Sequence, residues 1–148
     1  MSDAATPNDC TILLADDDAA VLQVLGFAFK KAGYHVTTAA DGTQAMAALE
    51  GKRYDLMVLD ILMPGATGWE VLAKAIAATP PGKPLPRALL ITGFNQEYVL
   101  DFRLLQEEGV SGMLLKPFTA SAILDEVERV LAMPPVFTLP KSSQKSKA

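Results

Sequence analysis

Asp60 is the residue best placed for chemistry in this chain. It follows Leu56-Met57-Val58-Leu59, an unbroken apolar run, and a loop opens after it at Pro64-Gly65. Such a run without alternation is how a strand buried on both faces of a parallel sheet reads. Three other runs end in the same way: Thr11 to Ala15 in Asp16-Asp17-Asp18, Arg87 to Ile91 in Thr92-Gly93, and Val110 to Leu115 in Lys116. In open parallel sheets the working site lies past the carboxyl ends of the strands. Asp16, Asp17 and Asp60 in one crevice repel one another unless a cation joins them, and hard oxygen ligands with room for water suit Mg²⁺. Lys116 adds a point charge and Thr92 a hydroxyl donor. Together they could hold the oxygens of a phosphoryl group on Asp60, since phosphoryl transfer needs positioning and neutralisation. The plainer role for Asp60, capping the next helix, suits Thr67 better because Asp60 comes too early.

The elements that must position these residues follow from periodicity. Residues 1–10 read as a loose leader. A first strand (Thr11 to Ala15) leads to a helix from Ala19 to Ala32, with Val21, Val24, Leu25, Ala28 and Phe29 at helical spacing and Gly33 as its stop. A second strand, Tyr34 to Ala39, is more polar and belongs near an edge. A short helix, Thr43 to Glu50, follows the Asp41-Gly42 turn, and then comes the central strand. A third helix, Trp69 to Ala78, is ended by a segment with four prolines between Pro80 and Pro86. The fourth strand, a helix over Gln96 to Glu107, the fifth strand and a helix over Ala120 to Leu131 complete the pattern, with Thr119 capping the last helix. Strands alternating with helices predict an α/β fold, a doubly wound five-stranded parallel sheet with five helices.

Composition narrows the classes. Half the residues are apolar and a fifth charged, which describes a globular chain. No apolar run is long enough to span a membrane, and the N-terminus lacks the features of a signal peptide. Cys10 is the only cysteine, which excludes a disulfide framework and a cysteine-based metal site. The net charge is −4 although Lys141, Lys145 and Lys147 lie at the end, so the body is acidic and unsuited to non-specific nucleic-acid binding. The expected location is the cytosol.

Taken together, Leu13-Leu14-Ala15-Asp16-Asp17-Asp18, Leu59-Asp60-Ile61-Leu62-Met63-Pro64, Leu90-Ile91-Thr92-Gly93 and Leu115-Lys116-Pro117-Phe118 resemble the receiver domain of two-component response regulators. The resemblance covers about residues 11–132, leaving 133–148 as a disordered tail containing proline and lysine. It implies the flavodoxin-like strand order 2-1-3-4-5 and a phosphoryl group accepted on Asp60 from a histidine kinase or phosphotransfer protein. It further implies Mg²⁺ held by Asp17, Asp60 and the backbone carbonyl of Leu62, with Asp16 helping, largely through water. Thr92 and Lys116 would contact the phosphoryl oxygens, and the Lys116-Pro117 peptide bond would be cis. Donor docking would involve Phe27, Pro117 and Phe118. Such a protein is a phosphoacceptor switch rather than an enzyme, although it promotes its own Mg²⁺-dependent phosphotransfer and dephosphorylation.

Three departures from the family pattern stand out. Met113 occupies a position where relatives carry Tyr or Phe, an aromatic that swings inward when the threonine moves. Met can serve that switch weakly or simply fill the pocket. Leu62 and Phe94 stand two residues after Asp60 and Thr92, where relatives often place polar groups that tune hydrolysis. Two apolar side chains there hinder an attacking water. The Pro-rich segment 79–86 is longer than a usual helix-to-strand connection.

Other residues carry weaker signals. Phe27 lies about 120° from the centre of the apolar stripe of its helix, on a face with Gln23 and Lys30. His35 reads as a surface residue, Trp69 as packing, and Asp18 as part of the first helical turn, where its charge suits the dipole. The rest of the chain after residue 132 is too short and polar for an output domain, so a stand-alone, chemotaxis-type receiver is expected. It would act through an unknown protein target or a phosphorelay, as a monomer or a phosphorylation-dependent dimer. A phosphatase of the aspartate-nucleophile class would want a second acid where Leu62 stands. A degenerate receiver that only binds proteins would have no need of the complete set Asp16, Asp17, Asp60, Thr92 and Lys116.

Overall fold

The computed structural model describes residues 10–93 and 109–139. Along the chain run β1 (Thr11–Ala15), α1 (Ala19–Lys31), β2 (His35–Ala39), α2 (Gly42–Ala48), β3 (Leu56–Asp60), α3 (Gly68–Ala77), β4 (Arg87–Gly93), β5 (Gly112–Lys116) and α4 (Ala120–Leu131). The strands form one parallel sheet in the order β2-β1-β3-β4-β5. The helix expected over 96–107 lies outside the described residues, so four helices are seen among them where five were expected. β2 is an edge strand, as its polar sequence predicts, and His35 on it is exposed.

Alternation along the strands separates two cores. Ile12, Leu14, Leu56, Val58, Leu89 and Ile91 point to one face, where Leu25 and Phe29 of α1 and Ile123, Val127 and Val130 of α4 cover them. Leu13, Met57, Leu59 and Leu90 point to the other, under Ala45 of α2 and Val71, Leu72 and Ala75 of α3. Every residue of β3 is buried because helices lie on both sides, which is why its sequence is apolar without alternation. Each fully buried Leu or Ile contributes about 1.5–3 kcal/mol.

Caps fix where the helices begin. The Asp18 side chain accepts from the N–H groups of Ala20 and Val21, so it is the N-cap of α1 and not part of the first turn. A side chain with its own acceptor satisfies backbone donors best from just outside the helix. Thr67 and Glu70 close a capping box on α3, and Thr119 caps α4. Gly33 ends α1 at a φ of 103°, a left-handed stop that suits glycine.

Several other boundaries differ from expectation, mostly by one or two residues at an element's end. β4 continues to Gly93 because Thr92 and Gly93 pair with Leu115 and Lys116, so Thr92 is a strand residue. β5 correspondingly begins at Gly112, not Val110. Residues 133–139, expected to start a disordered tail, instead cross the amino pole of the sheet. The Leu85 N–H donates to the Val136 carbonyl at 2.7 Å, and the Arg87 guanidinium donates to the Met133 carbonyl. This strap follows from the Pro-rich segment, which leaves Leu85 with a backbone donor that no strand neighbour takes.

Candidate functional site

Register brings the chemistry-bearing residues to one edge. Ala15 lies beside Leu59, Asp60 beside Ile91, and Gly93 beside Lys116. The strand ends therefore present Asp16, Asp60, Thr92 and Lys116 within one crevice. Asp16, Asp60 and Thr92 are the buried polar residues among those described. A buried carboxylate is costly unless paired, and here the pairing is shared. Lys116 Nζ lies 2.8 Å from Asp16 Oδ2 and 3.4 Å from Asp60 Oδ2. Asp16 Oδ1 accepts the Asp18 N–H at 2.8 Å. Asp17 is exposed at the rim, and Asp16, Asp17 and Asp60 can each offer an oxygen such that all three lie within 4.8 Å of one another.

The electrostatics of this crevice are under-neutralised. Burial, and then the charge of Asp16, push the Asp60 carboxyl up to about 7 despite the opposing pull of Lys116. Burial works to depress the Lys116 ammonium, but its hydrogen bond and charge contact with Asp16, together with Asp60, hold it above the ordinary lysine value. Among the described residues, one ammonium thus contacts two of the three converging carboxylates, and Asp16 Oδ2 is buried with no hydrogen-bond partner beyond that ion pair. A hard divalent cation fits this donor set, because it would add the missing positive charge to oxygens that already converge.

The backbone around Asp60 is tightly held. The Ile61 N–H donates to the Ile91 carbonyl at 3.1 Å, and the Ile61 carbonyl accepts from Gly68 at 2.9 Å. The Gly42 N–H, at the start of α2, donates to the Pro64 carbonyl at 2.8 Å. Of these two glycines only Gly42 enters the sequence reading, as part of a turn. Their contacts were signalled by one oddity: glycine is a poor helix former, yet one opens α2 and another opens α3.

The remaining expected site residues are distributed as follows. Leu62 is 44% exposed. Met113 is half-buried and packs against the core cluster beneath α2 and α3. Lys116-Pro117 is cis. Pro117 is exposed, whereas Phe118 packs partly against the core under α1 and α4. Phe27 on α1 is 68% exposed, with the Lys31 ammonium 6.0 Å from its ring centre. Phe94 lies outside the described residues. The cavity of about 520 Å³ found under the strap, lined by Arg87, Ser111 and Met133 among others, is at the other pole and includes none of these residues.

The family model described as "Response regulator receiver domain" matches residues 12–128. The chain belongs to the response regulator receiver family. Among similar receivers, the chemotaxis protein CheY of Pseudomonas aeruginosa is 29% identical over 120 residues, covering 80% of this chain and 94% of that protein. The alkaline phosphatase synthesis transcriptional regulatory protein PhoP of Bacillus subtilis is 30% identical over 120 residues, covering 81% of this chain but 48% of that protein. The chain spans about half the length of such transcriptional regulators. The structure of the receiver CheY4 of Vibrio cholerae superposes with a TM-score of 0.66 at 28% identity, covering 82% of this chain and 98% of that one. As in a receiver, no helix among the described residues is long and apolar enough to cross a membrane.

Proposed function

We propose that this chain is a cytosolic response regulator receiver that accepts a phosphoryl group on Asp60 from a phosphohistidine of a kinase or phosphotransfer protein. The observation that carries the reading is the convergence of Asp16, Asp17 and Asp60 within 4.8 Å, with Lys116 bridging Asp16 and Asp60. In the transfer an Asp60 oxygen attacks phosphorus, the bond from phosphorus to the donor imidazole nitrogen breaks, and that nitrogen keeps the electron pair. Asp16, Asp17, Asp60 and the Leu62 carbonyl would hold Mg²⁺. When bound, Mg²⁺ supplies the charge that keeps Asp60 ionised and neutralises the transferring group. Lys116 and the Thr92 hydroxyl then receive the phosphoryl oxygens. Lys116 can exchange its Asp16 partner for the new acyl phosphate without leaving the crevice.

Output follows from Thr92 sitting in β4 beside β5, where Met113 lies on the core face. A shift of Thr92 toward the phosphoryl group reaches Met113 through packed neighbours, and the modified chain then binds a protein target or passes the group to another histidine. Phe27, Pro117 and the rim of Phe118 form the donor-docking side.

Intact mass after incubation with acetyl phosphate and Mg²⁺ tests the reading. Wild type gains one phosphoryl group and Asp60→Asn gains none. A folded wild type that binds Mg²⁺ yet gains nothing from acetyl phosphate or from any kinase donor would show a receiver kept for binding alone. With a phosphorylated donor domain, Phe27→Ala takes up the group more slowly, and an unchanged rate would remove Phe27 from the docking surface.

A further inference from the structure

Leu62 stands on a segment held from both sides. On its amino side, Ile61 is bonded through its N–H to Ile91 and through its carbonyl to Gly68. On its carboxyl side, the Pro64 carbonyl takes the Gly42 N–H. That second hold is unusually close. A Cβ built on Gly42 would stand 2.1 Å from the Ala66 carbonyl oxygen and 2.4 Å from its nitrogen. The loop presses back: Gly65 has a φ of 88°, and a Cβ there would meet Thr43 Oγ1 at 2.2 Å. The surface the loop rests on is itself rigid, because the Asp41 side chain accepts the Gln44 N–H while the Gln44 side chain accepts the Ala40 N–H, both at 2.8 Å. Behind the loop, the Thr67–Glu70 capping box fixes the start of α3.

We propose that Gly42 is a positioning residue for the metal site, its missing side chain letting the first turn of α2 seat against Pro64–Ala66 and so fix the backbone around the Leu62 carbonyl. The inference rests on the reading of Asp60 and Leu62 as metal ligands given above. α2 contributes no ligand of its own, so its part is to hold the backbone that does. Supports behind a metal's direct ligands alter affinity by about 10–100-fold when removed, and an added Cβ at Gly42 must displace backbone, which cannot rotate aside.

Calorimetric titration of the whole chain with MgCl₂ tests this, alongside thermal unfolding. Gly42→Ala is expected to bind Mg²⁺ about 10-fold or more weakly. Leu25→Ala, in the opposite core, is expected to melt earlier while keeping wild-type affinity, which separates positioning from general stability. Should Gly42→Ala fail to fold, Gly65→Ala presses the same contact from the loop side and carries the same expectation. A folded Gly42→Ala or Gly65→Ala with wild-type Mg²⁺ affinity overturns the proposal alone. A wild type that binds no Mg²⁺ overturns the metal reading, and the proposal with it.

Discussion

Lys116 leans on Asp16, at 2.8 Å, more closely than on Asp60, at 3.4 Å. Among the described residues, the one ammonium of the crevice thus rests mainly on Asp16, the residue that in the proposed function does not accept the phosphoryl group.

Removing that ammonium leaves the acids uncompensated. Lys116→Met is expected to lower the stability of metal-free protein at about pH 8 by about 2 kcal/mol, less than for a fully buried pair because Lys116 retains solvent contact. Urea unfolding with and without Mg²⁺ checks this: the deficit shrinks when Mg²⁺ is added, and an undiminished deficit would contradict the shared-charge account.

The raised Asp60 value gives stability a definite slope with pH. The folded carboxyl keeps its proton up to about 7 while the unfolded one loses it near 3.8. The associated stabilisation is therefore full below about pH 4 and lost as pH rises through 7. At ~1.4 kcal/mol per unit, and halved because the exposed Asp17 side admits water, the loss is about 2 kcal/mol. In EDTA, wild type should lose stability relative to Asp60→Asn between about pH 4 and about pH 8. Parallel profiles for the two proteins would show an Asp60 carboxyl with an ordinary value.

On the function proposed above, Leu62 would shield the acyl phosphate with a side chain that cannot orient water. Leu62→Asn is expected to speed loss of the phosphoryl group by about tenfold, equivalent to ~1.4 kcal/mol of barrier. Decay of the phosphorylated mass with time measures it, and an unchanged half-life would exclude shielding by Leu62.

The strap at the far pole should matter for stability and not for chemistry. Ending the chain after Ala132 removes the bonds to Leu85 and Arg87, and is expected to cost on the order of 1–3 kcal/mol. Phosphoryl uptake from acetyl phosphate by the folded fraction stays unchanged, and a large change in uptake would reveal coupling between the poles.

Much of this was legible in the sequence, for identifiable reasons. The buried run before Asp60, the acids after β1 and the stops at Gly33 and Pro80 are local patterns, and the parallel sheet follows from their alternation. Thr67 as a cap and the outward Phe27 could likewise be read one helix at a time. The strap could not, because its bonds join residues about fifty positions apart and its own composition resembles a tail. The Gly42 contact was hidden for a related reason: a glycine's lack of atoms records nothing about which neighbour requires it. Asp18 was misplaced by one cap position because an acid favours both sites on the same electrostatic grounds.

The strap also carries the last described residues to the opposite layer of the sheet. α4 packs on one layer of the sheet, yet Leu139 lies beside Trp69, Ala73 and Ile76 of α3 on the other. A tether joined after this point therefore departs from the layer opposite the one that α4 occupies. A fluorophore or fusion partner attached there would report on α3 and its surroundings, while the same group attached directly to the end of α4 would sit on the side shared with α1.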